Sequence, residues 1–112
     1  MKPVVLLYLC LAVASEIVAT ASLKASEGFT RLWPLALMVL AYGVSFFFLT
    51  LTLQHLPLGV VYAIWSGLGT AGAVLVGVLI WGESLSWVGV AAILLIVAGV
   101  VILNLVAERG SA

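Results

Sequence analysis

The sequence predicts an all-α membrane protein, four transmembrane helices in up-down-up-down order, and three observations carry that prediction. Of its 112 residues, 66% are hydrophobic and 7% charged, against roughly half and about a quarter in a soluble domain. Four apolar stretches take up nearly the whole length and leave no room for a soluble domain. Each is long enough, at about 1.5 Å of rise per residue, to cross the hydrocarbon of a bilayer as a helix. The connections between them are short, so successive helices alternate in direction and both termini fall on one side. Residues 1–112 are therefore expected to form a single transmembrane domain, with helices at about 3–25, 33–53, 57–80 and 86–106.

The first helix is expected from Pro3, where the missing backbone N–H costs nothing, to Ala25. Residues Val4 to Leu23 read VVLLYLCLAVASEIVATASL and hold one carboxylate, Glu16, near their middle. At 3.6 residues per turn Glu16 shares a face with Leu9, Ala12, Val13, Ala19, Thr20 and Leu23. Ala12, Ser15, Ala19 and Ser22 make an adjoining stripe of small residues that lets another backbone come close. The loop SEGFTRLW, Ser26 to Trp33, is the most polar connection, and Pro34 opens the second helix, with Tyr42, Ser45, Phe46 and Leu49 on one face.

QHLP, Gln54 to Pro57, is a tight connection, and Pro57 opens the third helix. Tyr62, Trp65 and Ser66 share a face there, followed by Gly67-Leu68-Gly69 and a small-residue stripe of Gly69, Ala73 and Gly77. WGESLS, Trp81 to Ser86, is a turn in which Ser86 caps the fourth helix, and Ala92 and Gly99 stand seven residues apart on one face of that helix.

Several function classes fall away. The first hydrophobic run is too long for a cleaved signal peptide, contains Glu16 and has no cleavage site before a mature domain. Net charge is zero, so no nucleic-acid partner is expected. Cys10 is the single cysteine and His55 the single histidine, so neither an internal disulfide nor a metal site is expected. No nucleophile–base pair or phosphate loop is visible, so neither an enzyme nor a bound cofactor is expected.

Every charged residue except Glu16 lies at a helix end or in a connection: Lys2, Lys24, Glu27, Arg31, Glu83, Glu108 and Arg109. A charge at mid-bilayer costs from about 2.5 to above 10 kcal/mol, so Glu16 must face a bundle interior or a wet cavity. No intramembrane Lys or Arg is available to neutralise it. A carboxyl so placed can hold a proton or face a cation, not both fully, and that competition is enough to couple proton flow to cation movement. The bland counterpart is a structural Glu bonded across helices. Tyr42, Phe46, Tyr62 and Trp65 are candidates for an aromatic cation cage or ordinary packing. Ser45, Ser66 and Thr20 either bond substrate and carboxylate or satisfy their own i−4 carbonyls. Gly67 and Gly69 mark either a hinge or a close helix contact, and Ala92–Gly99 either an oligomer contact or internal packing. Trp33, Trp81 and Trp87, at helix ends, suit the membrane interface.

Orientation follows basic residues near helix ends, and here the tally is even. Lys2 and Arg109 lie on one side, Lys24 and Arg31 on the other. Insertion in both orientations fits that balance. A cavity around Glu16 would then form between two copies paired antiparallel, since four helices alone enclose little.

At these spacings the chain resembles the small multidrug resistance family of bacterial inner-membrane exporters. The resemblance rests on ASEIVATASLKASEGFTRLWP around Glu16, PLGVVYAIWSGLG around Tyr62 and Trp65, and the WGES turn from Trp81. It implies an antiparallel, dual-topology homodimer in the lipid of the inner membrane that exchanges protons for drug-like organic cations. It also implies that Glu16 is the shared proton and substrate carboxylate, and that Tyr42, Tyr62 and Trp65 contact substrate. Leu9, Ala12, Val13, Thr20, Ser45, Phe46, Leu49 and Ser66 would line the site. Gly67 and Gly69 match the family's flexible Gly-x-Gly, and the fourth helix, with Ala92 and Gly99, matches its dimerising helix. Ala19 and Trp65-Ser66-Gly67 favour the quaternary-ammonium branch, whereas GTAGAVLVGVLIWGES from Gly69 is similar to the guanidinium-exporting branch. A guanidinium exporter is the alternative, and a non-transporting assembly subunit the alternative from another class.

Overall fold

The structure, a computed structural model, describes residues 2–108. Four helices account for nearly all of them: α1 (Pro3–Ala25), α2 (Leu32–Leu53), α3 (Leu58–Trp81) and α4 (Trp87–Glu108). All four are long and apolar enough to cross a membrane, and the ends agree with the sequence pattern to within about two residues. The differences have local causes. α2 begins at Leu32, so Pro34 sits third in the helix, where the N–H it lacks would have no intrahelical partner. Pro57 is the N-cap of α3 rather than its first residue, with extended backbone at ψ 147°. Ser86 caps α4, its Oγ accepting from the Gly89 amide at 3.0 Å. Arg109, counted in the charge balance, lies outside the described residues.

The first connection is built on Ser26, which is fully buried and ends α1. Its hydroxyl donates to the Leu23 carbonyl at 2.6 Å and accepts from the Phe29 amide at 3.2 Å. Its own carbonyl accepts from Thr30 and Arg31, closing the loop onto α2.

The helices lie in a row, α2–α1–α3–α4, with a slight α2–α3 contact. Backbone extents of 46 × 35 × 19 Å make this an open layer about two helices thick. The most extensive contact is α1 against α2. Ala12, Ala19 and Ser22 of the small-residue stripe are buried, and Ser45 Oγ of α2 donates to the Ala12 carbonyl at 2.6 Å. Leu9 and Val13 of α1 meet Val60, Val61 and Ile64 of α3 in a buried cluster.

Glycines let α3 approach its neighbours. A side chain at Gly72 would collide with Ile17 of α1. One at Gly67 would place its Cβ 2.8 Å from Val100 Cγ2 and 3.3 Å from Ile96 Cγ2 of α4. Among the described helices, α4 makes its close backbone contacts with α3 alone. Its remaining surface is exposed, Ala92 and Gly99 included, and an added Cβ at Gly99 would meet nothing within 4 Å.

Two expectations follow. Ser45→Ala should lower stability by about 0.6 kcal/mol, the typical value of one interhelical hydrogen bond in a membrane; unfolding of the purified protein by denaturing detergent reads this. Gly67→Leu should cost more, because Val100 is β-branched and cannot swing clear, and the same titration should show α4 docking weakened.

Candidate functional site

Glu16 sits on α1 one turn before Thr20, facing the seam with α3. The seam is bare at that level: a Cβ on Gly69 would lie 2.9 Å from Glu16 Oε2. Any residue larger than glycine at position 69 would press on the carboxylate. Glu16 is half-buried and opens on a recess of about 210 Å³ walled by Trp65, Ser66, Gly69, Thr70 and Ala73 of α3.

The other carboxylate oxygen is held from within α1. Thr20 Oγ1 donates to Glu16 Oε1 at 2.8 Å and lies 3.0 Å from the Tyr42 hydroxyl of α2. A hydroxyl carries one proton, and Thr20 gives its proton to Glu16. The Tyr42 hydroxyl is therefore the donor to Thr20. Tyr42, Thr20 and Glu16 form one directed chain of hydrogen bonds from α2 to the recess.

The aromatic candidates divide into two groups. Tyr42 stacks on Phe46, with ring centroids 6.0 Å apart and planes at 19°. Trp65 walls the recess directly and meets Tyr62 edge-on at 6.1 Å. Tyr62 and Phe46 are more than half exposed on the surface of the layer. The aromatic rings thus stand on two sides of Glu16, Trp65 on the α3 side and the Tyr42–Phe46 pair beyond Thr20. Trp65 Nε1 is buried and finds no hydrogen-bond partner among the described residues.

The remaining predicted residues have structural places. Leu9 and Val13 belong to the buried α1–α3 cluster, and Leu49 packs against it. Ala12 is fully buried and its carbonyl is taken by Ser45. Ser66 reaches the recess while donating to the Tyr62 carbonyl at 2.7 Å. Gly67 and Gly69 lie within unbroken α3, one against α4 and the other against Glu16.

Thr70 and Ala73 were not singled out as site residues in the sequence, yet both wall the recess. The signal for Thr70 was its place one turn after Ser66, where its hydroxyl donates to the Ser66 carbonyl at 2.7 Å. Ala73 appeared only as a member of the packing stripe. Lys24, Trp81 and Glu83 also converge at the loop end of α1 and α3. Lys24 Nζ pairs with Glu83 Oε2 and sits 5.3 Å from the Trp81 ring centroid. No helical period links Lys24 of α1 to Trp81 and Glu83, which lie together at the end of α3 and in the turn after it.

A family model described as Small Multidrug Resistance protein matches residues 4–96. The chain belongs to that family. It is 45% identical over 105 residues to the quaternary ammonium compound-resistance protein QacE of Escherichia coli, covering 94% of this chain and 96% of the relative. It is 46% identical over 99 residues to the multidrug resistance protein EbrB of Bacillus subtilis strain 168, 88% and 85% of the two chains. The multidrug resistance protein mmr of Mycobacterium bovis is 49% identical over 100 residues, 88% of this chain and 94% of that one. As a member of the Small Multidrug Resistance family with four spanning helices, the chain is a multi-pass membrane protein.

The hydrogen-bond chain gives a test of its own. Thr20→Val keeps the side-chain shape but leaves both Glu16 and Tyr42 without their mutual partner, which should cost about 1–3 kcal/mol of stability. Tyr42→Phe should cost less, since Thr20 still donates to Glu16, and detergent unfolding of the two variants and their double mutant measures the coupling.

Proposed function

We propose that this chain is a proton-coupled antiporter that exports lipophilic cations of the quaternary-ammonium type across the bacterial inner membrane. One observation carries the proposal: Glu16 opens on a recess walled by the Trp65 ring, and no ion pair to Glu16 forms among the described residues. A carboxylate beside an indole face in a low-dielectric slab attracts an organic cation by charge and by the ring quadrupole. A proton on Glu16 removes the first of those attractions, so proton and cation compete for one group. The names of the relatives, a quaternary ammonium resistance protein and multidrug resistance proteins, support the same substrate class.

The proposed working unit is an antiparallel homodimer of dual topology. Aromatic rings on two sides of Glu16 and an open layer both favour a second copy facing the first. Its chamber would hold two Glu16 carboxylates, with Tyr42, Phe46, Tyr62 and Trp65 of both copies around them. Ala92 and Gly99 on the exposed face of α4 would supply the contact between copies. Gly67 and Gly69 would flex as the two subunits exchange conformations. Protonation of Glu16 would let its hydroxyl donate to Thr20 and Thr20 to Tyr42, reversing the hydrogen-bond chain and signalling occupancy to α2.

A guanidinium substrate is the second reading, favoured by the Ser66 and Thr70 hydroxyls. Each donates to a backbone carbonyl and so keeps acceptor capacity toward N–H groups in the recess. The charged nitrogen of a quaternary ammonium ion carries no such hydrogen.

Proteoliposomes with an imposed proton gradient test the proposal. Wild-type protein should drive ethidium, a fluorescent quaternary ammonium ion, against its gradient, and Glu16→Gln should reduce transport to the protein-free level. Transport by the Gln variant would refute the mechanism. Competition between guanidinium and ethidium then separates the two substrate classes. Failure of wild-type protein to bind either cation would favour an assembly role.

A further inference from the structure

The α1–α3 seam continues past the recess toward the loop end of the two helices. Ala73 walls the Glu16 recess and also a second cavity of about 90 Å³, which reaches outward to Lys24, Gly77, Trp81 and Glu83. Thr20, the partner of Glu16, lines this second cavity too. The two cavities therefore share a wall on α3 and a hydrogen-bond partner on α1.

The outer end of this track holds a cation already, and it belongs to the protein. The Lys24 ammonium is paired with the Glu83 carboxylate and lies 5.3 Å from the centroid of the Trp81 ring. A carboxylate and an indole ring are also the two groups that Glu16 and Trp65 bring to the recess.

The backbone places Glu83 for this contact. Gly82 ends α3 in the left-handed region at φ 66°, and the Glu83 amide then donates to the Gly77 carbonyl at 3.1 Å. The Glu83 side chain folds back over α3 where Gly77 has no side chain, and a Cβ at Gly77 would collide with its carboxylate. Lys24 and Glu83 are each about half exposed, at 48% and 47%. A pair so open to solvent is weak and exchanges readily.

We propose that Glu83 and Trp81 form an outer seat for organic cations on the α1–α3 seam. Lys24 fills it at rest as a tethered competitor, and a cation moving between the recess and the loop end displaces Lys24. This inference rests on the Glu16 recess being the inner cation seat. A quaternary ammonium ion is more weakly hydrated than a lysine ammonium, so it gains more from the indole face. The ion must separate Lys24 from Glu83 to pass, and the seat then holds it until Lys24 returns.

Equilibrium binding of ethidium to the purified protein tests the outer seat, with the inner one removed by Glu16→Gln. On that background Lys24→Met should tighten ethidium binding several-fold, because the competitor is gone. Adding Glu83→Gln should cancel the gain, and Trp81→Leu should cut it where Trp81→Phe retains part of it. Lys24→Arg, which keeps a cation in the seat, should leave binding near the Glu16→Gln level and controls for folding. No tightening on Lys24→Met, or tightening that survives Glu83→Gln, would overturn the outer seat. Failure of the inner seat has a different signature: Glu16→Gln alone would then bind ethidium as wild type does.

Discussion

In a bilayer interior no water is present to satisfy a polar atom, so a polar side chain is costly unless it finds a partner within protein. The placement of side chains in this structure follows from that constraint, and Glu16 feels it most. Its carboxylate is served by Thr20, which is itself served by Tyr42, so one charged group ties α1 to α2. Most other hydroxyls in the spans solve the problem alone. Ser22, Thr50, Thr52, Ser66 and Thr70 each donate to the carbonyl one turn earlier in their own helix. Ser45 instead crosses between helices and donates to the Ala12 carbonyl of α1. Local back-bonding leaves these helices free to pack by shape.

Shape is supplied by the small residues. Gly67 admits α4, Gly72 admits Ile17, Gly69 admits the carboxylate and Gly77 admits Glu83, all along α3. The same absence of side chains that lets helices touch leaves space wherever nothing touches. The recess beside Glu16 and the cavity toward Glu83 are both such spaces, and Ala73 borders each. Packing and open space are thus two outcomes of one run of small residues. The layer they produce leaves α4 bare on most of its surface and the aromatic rings apart on two sides of Glu16, which is the geometry that the proposed second copy would complete.

Sequence patterns located the four spans, and prolines located three of their starts to within two residues, because hydropathy and turn chemistry are properties of neighbouring residues. Glu16 was legible for the same reason, as one charge in twenty apolar positions. The face it shares with Thr20 was legible from helical period. Periodicity assigns residues to a face but does not say what that face meets. Leu9 and Val13 share the Glu16 face and are nonetheless buried against Val60, Val61 and Ile64.

The sequence by itself therefore determined an all-helical membrane protein with a single embedded carboxylate, since both facts are set by local composition. Tertiary structure alone decided which partners that carboxylate has: the bare backbone at Gly69, the walls formed by Thr70 and Ala73, and Tyr42 reached through Thr20. It also decided that Lys24, Trp81 and Glu83 meet at one end of the seam. These contacts bring residues of α1 against residues of α2, of α3 and of the turn after α3, and their meeting depends on which helix lies beside which. That order, α2–α1–α3–α4, is set by the fit of small residues between neighbouring surfaces, a property of pairs of helices that no single stretch of sequence contains.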